Sequence, residues 1–276
     1  MEIIHTKMGL GGLEAFTPGI YDCYSNELYH AYAAVSKSDL DLLHRSAAHY
    51  RASMTIPREE TSEMRLGTAL HCSVLEPERF TSTYIVVEGD RRTKAVKEIV
   101  KAAEEAGKIV MSPDDMDAVQ GMTNSIMESK NAVTLFQGAG AELSAFADFD
   151  GTPVKCRPDI FSEQLGLIID LKTTIDASPE GFARACRRFR YHVQDAWYRH
   201  VLGKVLGVDA DDDLSFVFCA VEKTPPYAVA WYTLDPKDGE LGWNEALADL
   251  HVYQTANETG MWSGYSPKIE TLSLFK

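Results

Sequence analysis

The sequence predicts an α/β fold in which a mainly helical first half packs against a central mixed β-sheet flanked by helices. Apolar residues recur at helical spacing through much of the segment 36–130. Residues 143–161 instead alternate around an Asp-Gly turn signal, which is typical of a β-hairpin. Residues 165–171 form a short apolar run, as expected for a strand that is buried on both faces of a sheet.

No repeat, low-complexity segment or linker interrupts the chain, so we expect a single domain over residues 1–276. Its predicted parts are an irregular N-terminal arm (1–35), a mainly helical segment (36–130), a sheet core (140–235), and a C-terminal helix and tail (236–276).

Helices dominate the first half of the prediction. A serine cap begins a helix that ends near Tyr50, a polar loop follows over 51–62, and Pro77 ends a second helix of about 63–76. Three more elements complete this half: a short strand at 83–87, a basic helix within 90–108, and a long helix from Ser112 to about Lys130.

Strands and helices are interleaved in the second half. Short apolar or alternating runs bounded by turn signals predict strands at 143–149, 154–161, 165–171, 214–222 and 227–234. A Ser-Pro-Glu sequence at 178–180 begins one helix, and two further helices cover about 192–206 and 237–257.

The chain is acidic, with 27 Lys+Arg against 41 Asp+Glu and a formal net charge of −14. This balance argues against a protein that coats DNA by bulk electrostatic attraction, and taken alone it favours a small-molecule enzyme. An acidic DNA enzyme stays compatible with it if divalent ions and a local basic strip meet the phosphates. No apolar run approaches the roughly 18 residues of a membrane helix, and the N-terminus lacks a secretory pattern, so we expect a cytoplasmic protein with no membrane partner.

Five cysteines are scattered along the chain without a CxxC pair, at Cys23, Cys72, Cys156, Cys186 and Cys219. This spacing is typical of buried free thiols in a reducing compartment rather than of a disulfide framework or a zinc site. It also lacks the cysteine cluster that would hold iron and sulfur.

The chemically informative stretch places Asp159, which follows a proline, ten residues before Asp170-Leu171-Lys172. Two carboxylates from adjacent strands can hold Mg²⁺, which prefers oxygen ligands, and such an ion activates water for attack on a phosphodiester. Lys172 projects from the same strand face as Asp170, where its ammonium can orient the water and offset charge on the phosphate. A lone Asp-Leu-Lys is common, but this ordered combination after a turn and a buried strand indicates phosphodiester hydrolysis.

The combination resembles the RecB-like branch of the PD-(D/E)XK nucleases, which have a restriction-endonuclease-like core. The sequence GTALH at 67–71, ahead of that core, is part of the resemblance. Within the branch, the segment 36–50 (SKSDLDLL followed by His-Tyr), the run GTALHCSVLEP and the sequence CRPD at 156–159 are similar to the RecE-type exonucleases. The similarity covers roughly residues 35–235, and the implied catalytic core is the segment 140–235.

The resemblance implies further metal-site residues. It places His71 in the metal shell with Asp159 and Asp170, and because Mn²⁺ accepts imidazole more readily than Mg²⁺ does, we expect Mn²⁺ to substitute for Mg²⁺. It also gives Glu142, where the hairpin opens, a role in metal binding or water organisation. An ordinary explanation stays open for each: a core histidine at 71, and an exposed glutamate at a strand start at 142.

Candidate DNA contacts follow the Asp-Leu-Lys sequence. Gln194 and Tyr198 match the Q-x-x-x-Y motif of the branch, share one helix face, and by resemblance line the cleft near the scissile phosphate. A dense basic run lies between these elements, and its position favours a phosphate-binding strip over a solvated face. The run comprises Arg184, Arg187, Arg188, Arg190, His192, Arg199 and His200. Lys37, Arg45 and Arg65 are further candidates for contacting the DNA end.

The resemblance implies a Mg²⁺-dependent exodeoxyribonuclease that digests linear double-stranded DNA from its ends, 5′-to-3′, leaving 5′-phosphates and single-stranded DNA for recombination. It further implies a ring-shaped homo-oligomer and a RecT-like single-strand annealing partner in a phage or prophage setting. Three alternatives stay open. These are a helicase- or CRISPR-associated nuclease, which would carry a four-cysteine iron–sulfur cluster; an inactive or accessory DNA-binding protein of the same fold; and an unrelated metabolic enzyme, for which no GxGxxG, GxxxxGK[ST] or GxSxG sequence is present.

Overall fold

The computed structural model describes residues 17–22, 24–56, 61–89 and 92–273. Predictions for the beginning of the N-terminal arm, for Cys23, for part of the 51–62 loop and for the start of the basic helix therefore lie outside the described residues. The prediction of a single domain over the whole chain stays a prediction.

Helices occupy most of the first half of the described chain and flank the strands of the second half. They are α1 (Asn26–Ala31), α2 (Lys37–Arg45), α3 (Ala47–Ser53), α4 (Ser62–Leu75), α5 (Pro77–Thr83), α6 (Lys94–Glu105), α7 (Pro113–Met127), α8 (Lys130–Leu135), α9 (Pro179–Phe189), α10 (Tyr191–Leu206) and α11 (Pro236–Thr259). Local capping sets many of the starts: at α9, the Ser178 hydroxyl accepts a hydrogen bond from the Gly181 N–H at 3.2 Å, and Pro179 fills the first helical position.

The strands of the described residues form three separate sheets. They are β1 (Gly19–Tyr21), β2 (Tyr84–Val86), β3 (Ile109–Met111), β4 (Gly140–Ala141), β5 (Ser144–Phe149), β6 (Thr152–Cys156), β7 (Ile160–Ser162), β8 (Leu167–Thr174), β9 (Ser215–Glu222) and β10 (Val229–Tyr232). The strand orders are β10-β9-β8-β7-β4, β1-β5-β6 and β2-β3.

The five-stranded sheet is mixed, because β8 and β9 run parallel while its other neighbours are antiparallel. Helices α9 and α10 connect β8 to β9, and a parallel pair requires such a crossover connection. A mixed sheet with helices around it confirms the predicted α/β fold class.

Side chains of β8 alternate between two hydrophobic clusters on opposite faces of the five-stranded sheet. Ile168 packs with residues of α2, α10 and α11, including Trp197, which is fully buried. Ile169 and Leu171 pack on the other face with α4 and α7. This two-sided burial confirms the prediction from the apolar run at 165–171. Side chains from α4 on one face of the sheet and from α10 on the other face approach the same part of β8, where the candidate site lies.

The return strand predicted at 154–161 is wrong as a single element. β6 ends at Cys156 and pairs with β5, whereas β7 begins at Ile160 and pairs with β8 in another sheet. Pro158 lies in the break, and proline cannot donate a ladder hydrogen bond. The break leaves Asp159 between two strands, with its backbone carbonyl free to accept from a neighbouring segment.

Other local predictions are also corrected. The arm is not irregular throughout, since β1 pairs with β5 and α1 follows it. The helix predicted to end near Tyr50 is two helices that meet at Ser46, whose backbone is extended. The strand predicted at 83–87 begins only at Tyr84, because α5 continues to Thr83. Among the described residues, no helix is long and apolar enough to cross a membrane.

Candidate metal and catalytic centre

Glu142, Asp159 and Asp170 lie side by side across three neighbouring strands. The antiparallel registers of β4 with β7 and of β7 with β8 place each of them one position beyond the last paired residues. The backbone N–H of Glu142 donates to the carbonyl oxygen of Asp159 at 3.0 Å, which continues the first register. The sheet therefore aligns three carboxylate side chains that are distant in sequence.

His71 reaches this row from helix α4. Its Nε2–H donates to the Leu171 carbonyl oxygen at 3.0 Å, and its Nδ1 lies 3.2 Å from Oδ1 of Asp159. The Leu171 N–H donates to the other Asp159 oxygen at 2.6 Å. The backbone of Leu171 thus orients both side chains, and its carbonyl accepts from Nε2 so that Nδ1 faces the carboxylate.

His71, Glu142 and Asp159 form a donor group suited to a divalent cation. One ligand atom from each lies within 4.8 Å of the others, and among the described residues no second group of three His, Cys, Asp or Glu donors could share an ion. Two carboxylates and an imidazole fit Mg²⁺ and fit Mn²⁺ better. The sequence resemblance selected two of these donors as metal ligands and Glu142 as a metal or water ligand.

Asp170, the third predicted metal ligand, is held by other groups. Gln194 Nε2 donates to its Oδ1 at 2.5 Å, and the Lys172 ammonium forms an ion pair with its Oδ2. The Asp170 side chain is 3% exposed and that of Lys172 is 16% exposed. The structure thus brings together the predicted Asp-Asp-Lys set, while the role of Asp170 as a metal ligand stays a prediction.

The ionisation of the donor side chains depends on their burial and on the charges beside them. Burial opposes charge on the His71 imidazole, but the adjacent Asp159 carboxylate outweighs it and raises the pKa of His71 to about 9. Burial, together with the charge of Asp159, raises the pKa of Glu142 to about 7. Burial also raises the pKa of Asp170, with Asp159 adding to the rise against the opposing charge of Lys172.

The pKa of Asp159 is shifted in the opposite direction. Burial alone would raise the pKa of this carboxyl, but the charge and hydrogen bond of His71 outweigh burial and hold the pKa below its ordinary value. The His71–Asp159 pair is therefore charged at neutral pH when no cation is bound. A cation that binds here has to displace the imidazole proton.

Glu142 is held in a strained backbone conformation. Its φ of 53° lies in the left-handed region, which costs roughly 1–3 kcal/mol for a residue other than glycine. Such strain persists where surrounding contacts fix it, and it is concentrated at functional sites. The structure therefore argues against an ordinary exposed glutamate at a strand start, the alternative that the sequence left open.

Arg157 lines the site beside Glu142, although the sequence motifs indicated no role for it. Its guanidinium donates to Ser144 Oγ at 2.9 and 2.7 Å and to the carbonyl of Tyr24 at 2.7 Å, and it lies 4.0 Å from Glu142 Oε2. It ties the segment before α1 to β5 beside the donor group. Its place in the CRPD sequence, two residues before Asp159, was the available signal.

An open cleft of about 780 Å³ leads to the donor group. His71 and Glu142 line it together with Arg157, the segment Tyr24–Asn26 and the α4 residue Arg79. Its volume falls within the range of roughly 300–1,000 Å³ that ligand sites occupy. A substrate can therefore approach the donors from the side of α4 and the N-terminal segment.

The predicted DNA contacts separate into two sets. Gln194 is buried and bonded to Asp170, so it does not face the cleft, and Tyr198 packs edge-on against Phe216 at a centroid distance of 6.0 Å. Three of the predicted arginines, Arg65, Arg187 and Arg188, are exposed. The fourth, Arg184, is exposed and forms ion pairs with Asp176 and Glu180.

The predicted continuous basic strip is corrected by the ion pairs. Arg190 is enclosed by Asp41, Glu245 and Asp249, at 3.1, 3.0 and 2.7 Å. Arg199 is buried and pairs with Asp195 at 2.6 Å. His192 lies 3.3 Å from Glu245, and the His200 ring stacks on Trp243 at 3.6 Å. Only the α9 arginines of the run keep the surface position that a phosphate strip needs. The further candidate Lys37 donates to Asp41 and to the Phe189 carbonyl.

The carboxylate row, the lysine that follows it and the mixed sheet define a PD-(D/E)XK nuclease-like domain. A family profile for PDDEXK-like domains of unknown function (DUF3799) matches residues 36–274, and the chain belongs to this family. The match confirms the resemblance to PD-(D/E)XK proteins that the sequence motifs indicated.

One solved structure shares the fold of this chain. A protein from Eubacterium rectale, described provisionally as an exonuclease, is 13% identical; the likeness covers 85% of this chain and 86% of that one, with a TM-score of 0.61. A phage-related exonuclease from Haemophilus somnus is 13% identical over 85% of this chain and all of its own, with a TM-score of 0.37. No curated protein matches the chain. The first likeness shows a shared fold.

Proposed function

We propose that this protein is a metal-dependent exodeoxyribonuclease that digests linear double-stranded DNA from its ends. One observation carries the proposal: Glu142, Asp159 and Asp170 are aligned across three strands, with His71 and Lys172 against them. A row of carboxylates completed by an imidazole and an ammonium suits phosphodiester hydrolysis better than acyl or hydride transfer.

The donors have separable roles. His71, Glu142 and Asp159 would hold Mg²⁺ or Mn²⁺, which when bound polarises a phosphoryl oxygen and acidifies the attacking water. The Lys172 ammonium offers N–H donors to that water or to a phosphate oxygen, and its charge offsets the charge that develops on the phosphate. Asp170 keeps the ammonium in place through their ion pair.

The preference for DNA ends, 5′-to-3′ polarity, a ring-shaped homo-oligomer, a RecT-like annealing partner and a phage or prophage setting belong to the proposal through the RecE resemblance. A net charge of −14 is compatible with a ring in which DNA meets only a central channel. The exposed arginines of α9, Arg187 and Arg188, are candidates for contact with the phosphate backbone.

The deciding experiment is digestion of end-labelled linear duplex DNA with Mg²⁺ or Mn²⁺, beside a covalently closed circle of the same sequence. We compare the natural protein with Lys172→Ala and with Lys204→Ala, which removes an exposed lysine on α10 that does not line the cleft leading to the donors. We expect loss of label from linear DNA, survival of the circle, an inactive Lys172→Ala and an active Lys204→Ala.

Other results select the alternatives. Cleavage of the circle would make the protein an endonuclease and contradict the end-dependent reading. Intact linear DNA with both metals would favour an inactive or accessory DNA-binding protein of this fold. The iron–sulfur alternative has no support among the described residues, where Cys72, Cys156, Cys186 and Cys219 are buried and none belongs to a group of donors that could share an ion.

A further inference from the structure

Lys172 has a second contact besides its ion pair with Asp170. Its Nζ lies over the ring of Tyr191, 4.7 Å from the ring centroid. Tyr191 is the first residue of α10, three positions before the Q-x-x-x-Y sequence, and no motif of the sequence analysis includes it. The ammonium is therefore placed between a carboxylate on its own strand and an aromatic face at the start of α10.

The Tyr191 ring is itself held by aromatic contacts. It stacks on Phe218 of β9 at 5.7 Å with an interplanar angle of 25°, and on Phe189 at 5.7 Å and 26°. The ring also contacts Phe182 at 6.0 Å. A side chain packed in this way keeps its orientation, so it can restrain a flexible neighbour.

A lysine side chain needs such a restraint. It has a flexible four-carbon stem, and one ion pair with Asp170 leaves the ammonium free to swing about the carboxylate. The face of the Tyr191 ring attracts the ammonium and so restricts the positions that it can occupy around the Asp170 carboxylate. The N–H donors that Asp170 does not use then remain available to a water or a phosphate oxygen.

The ring rather than the hydroxyl makes this contact. Among the described residues, no hydrogen bond to the Tyr191 hydroxyl is found, whereas Tyr21, for example, donates to the Thr17 carbonyl at 2.9 Å. A phenylalanine at this position would keep the ring face over the Lys172 ammonium and remove only the hydroxyl.

We propose that Tyr191 is a positioning residue for the reaction, whose ring face holds the Lys172 ammonium in its working place. The inference rests on the proposed nuclease function. It predicts that the ring matters for the rate of the chemical step and not for the affinity for DNA, because Tyr191 acts through Lys172.

Three variants test this with linear duplex DNA as substrate: Tyr191→Leu, Tyr191→Phe and Phe149→Leu. The last is the matched control, since Phe149 packs against the same hydrophobic core and contacts Trp197 at 5.5 Å and Trp243 at 5.8 Å, but no contact of its ring with Tyr191 or Lys172 is present. We expect Tyr191→Leu to lower kcat about tenfold with KM unchanged, a change equivalent to about 1.4 kcal/mol. Tyr191→Phe should stay within about twofold of the natural protein, and Phe149→Leu should lower Tm without lowering kcat.

A spectroscopic readout keeps the inference separate from the proposed activity. In protein labelled with ¹³Cε-lysine, the Lys172 methylene protons should be shifted upfield by the ring current of Tyr191. The shift should persist in Tyr191→Phe and Phe149→Leu and vanish in Tyr191→Leu. An inactive natural protein with this pattern would contradict the proposed function alone. An unshifted Lys172 resonance, equal loss of kcat in Tyr191→Phe and Tyr191→Leu, or a raised KM would overturn the role of Tyr191.

Discussion

The side-chain amide of Gln194 donates a hydrogen bond to Oδ1 of Asp170 at 2.5 Å, and both side chains are buried. This contact joins α10 to β8 at the point where Asp170 also meets Lys172. By resemblance, Gln194 was expected to line the cleft and contact DNA. The geometry instead makes it a support for the carboxylate on which Lys172 depends.

Replacing Gln194 by leucine should lower kcat strongly with little change in the KM for DNA. The substitution leaves a buried carboxylate without its amide donor, which should also cost about 1–3 kcal/mol in the free energy of unfolding. Steady-state cleavage and urea denaturation measure the two effects. An unchanged kcat with a raised KM would instead return Gln194 to the DNA-contact role.

Glu142 should be as important for metal affinity as Asp159. Glu142→Gln removes one of two anionic oxygen donors of the group formed with His71, so we expect at least about a tenfold weaker binding of Mn²⁺ by calorimetry. Glu76→Gln is the matched control, because Glu76 lines the same cleft but pairs with Arg79 outside the donor group. Equal affinities in the two variants would exclude Glu142 from the metal site.

Metal affinity should rise with pH up to about 9. The ligand forms are the neutral imidazole and the ionised carboxylates, whereas the pKa of His71 is raised to about 9 and that of Glu142 to about 7. Below pH 9 the cation displaces the His71 proton, and below pH 7 it displaces a second proton from Glu142. The apparent affinity for Mn²⁺ should therefore increase by about tenfold per pH unit between 7 and 9, more steeply below 7, and level off above 9.

Proton release checks the same assignment. Calorimetry in two buffers of different ionisation enthalpy should show close to one proton released per Mn²⁺ at pH 8, and none in His71→Gln. Without metal, the stability of the fold should change with pH in the opposite direction to metal affinity. Because the folded pKa of His71 exceeds the ordinary value of about 6.5, its pair with Asp159 stabilises the fold fully below pH 6.5. This contribution is lost as pH rises through 9.

The sequence was sufficient for the fold class and for the Asp-Asp-Lys set, because both depend on local patterns. A turn, a buried apolar strand and a fixed spacing are readable without tertiary information, and the motifs for His71 and Glu142 added two more donors. What could not be predicted is how side chains distant in sequence share partners. The backbone of Leu171 orients both His71 and Asp159, and this depends on the packing of α4 against β8.

The basic run illustrates the same limit. Its spacing is that of one helix face, yet Arg190 lies between two helices with a φ of 52°, so the residues on either side of it point differently. The acidic residues that enclose Arg190 come from α2 and α11, both far from it in sequence. Charge composition alone cannot distinguish an arginine that neutralises such partners from one that awaits a phosphate.

Arg190 should accordingly contribute to stability more than to DNA affinity. Its side chain is 13% exposed, and its partner Asp249 is 6% exposed. Arg190→Met would leave that carboxylate buried with only His44 near it, at 3.2 Å. We expect a loss of about 3–5 kcal/mol in the free energy of unfolding, seen as a lower urea midpoint with an unchanged slope.

The comparison variant is Arg187→Met, which removes the same charge from an exposed position on α9. Its effect on stability should stay within about 0.5 kcal/mol. Because Arg187 belongs to the proposed phosphate-binding surface, the Arg187→Met protein should bind DNA more weakly. The slope of log binding constant against log salt concentration should become shallower by about one. A stability loss in Arg187→Met equal to that in Arg190→Met would contradict the division of the basic run into a buried, ion-paired Arg190 and exposed arginines on α9.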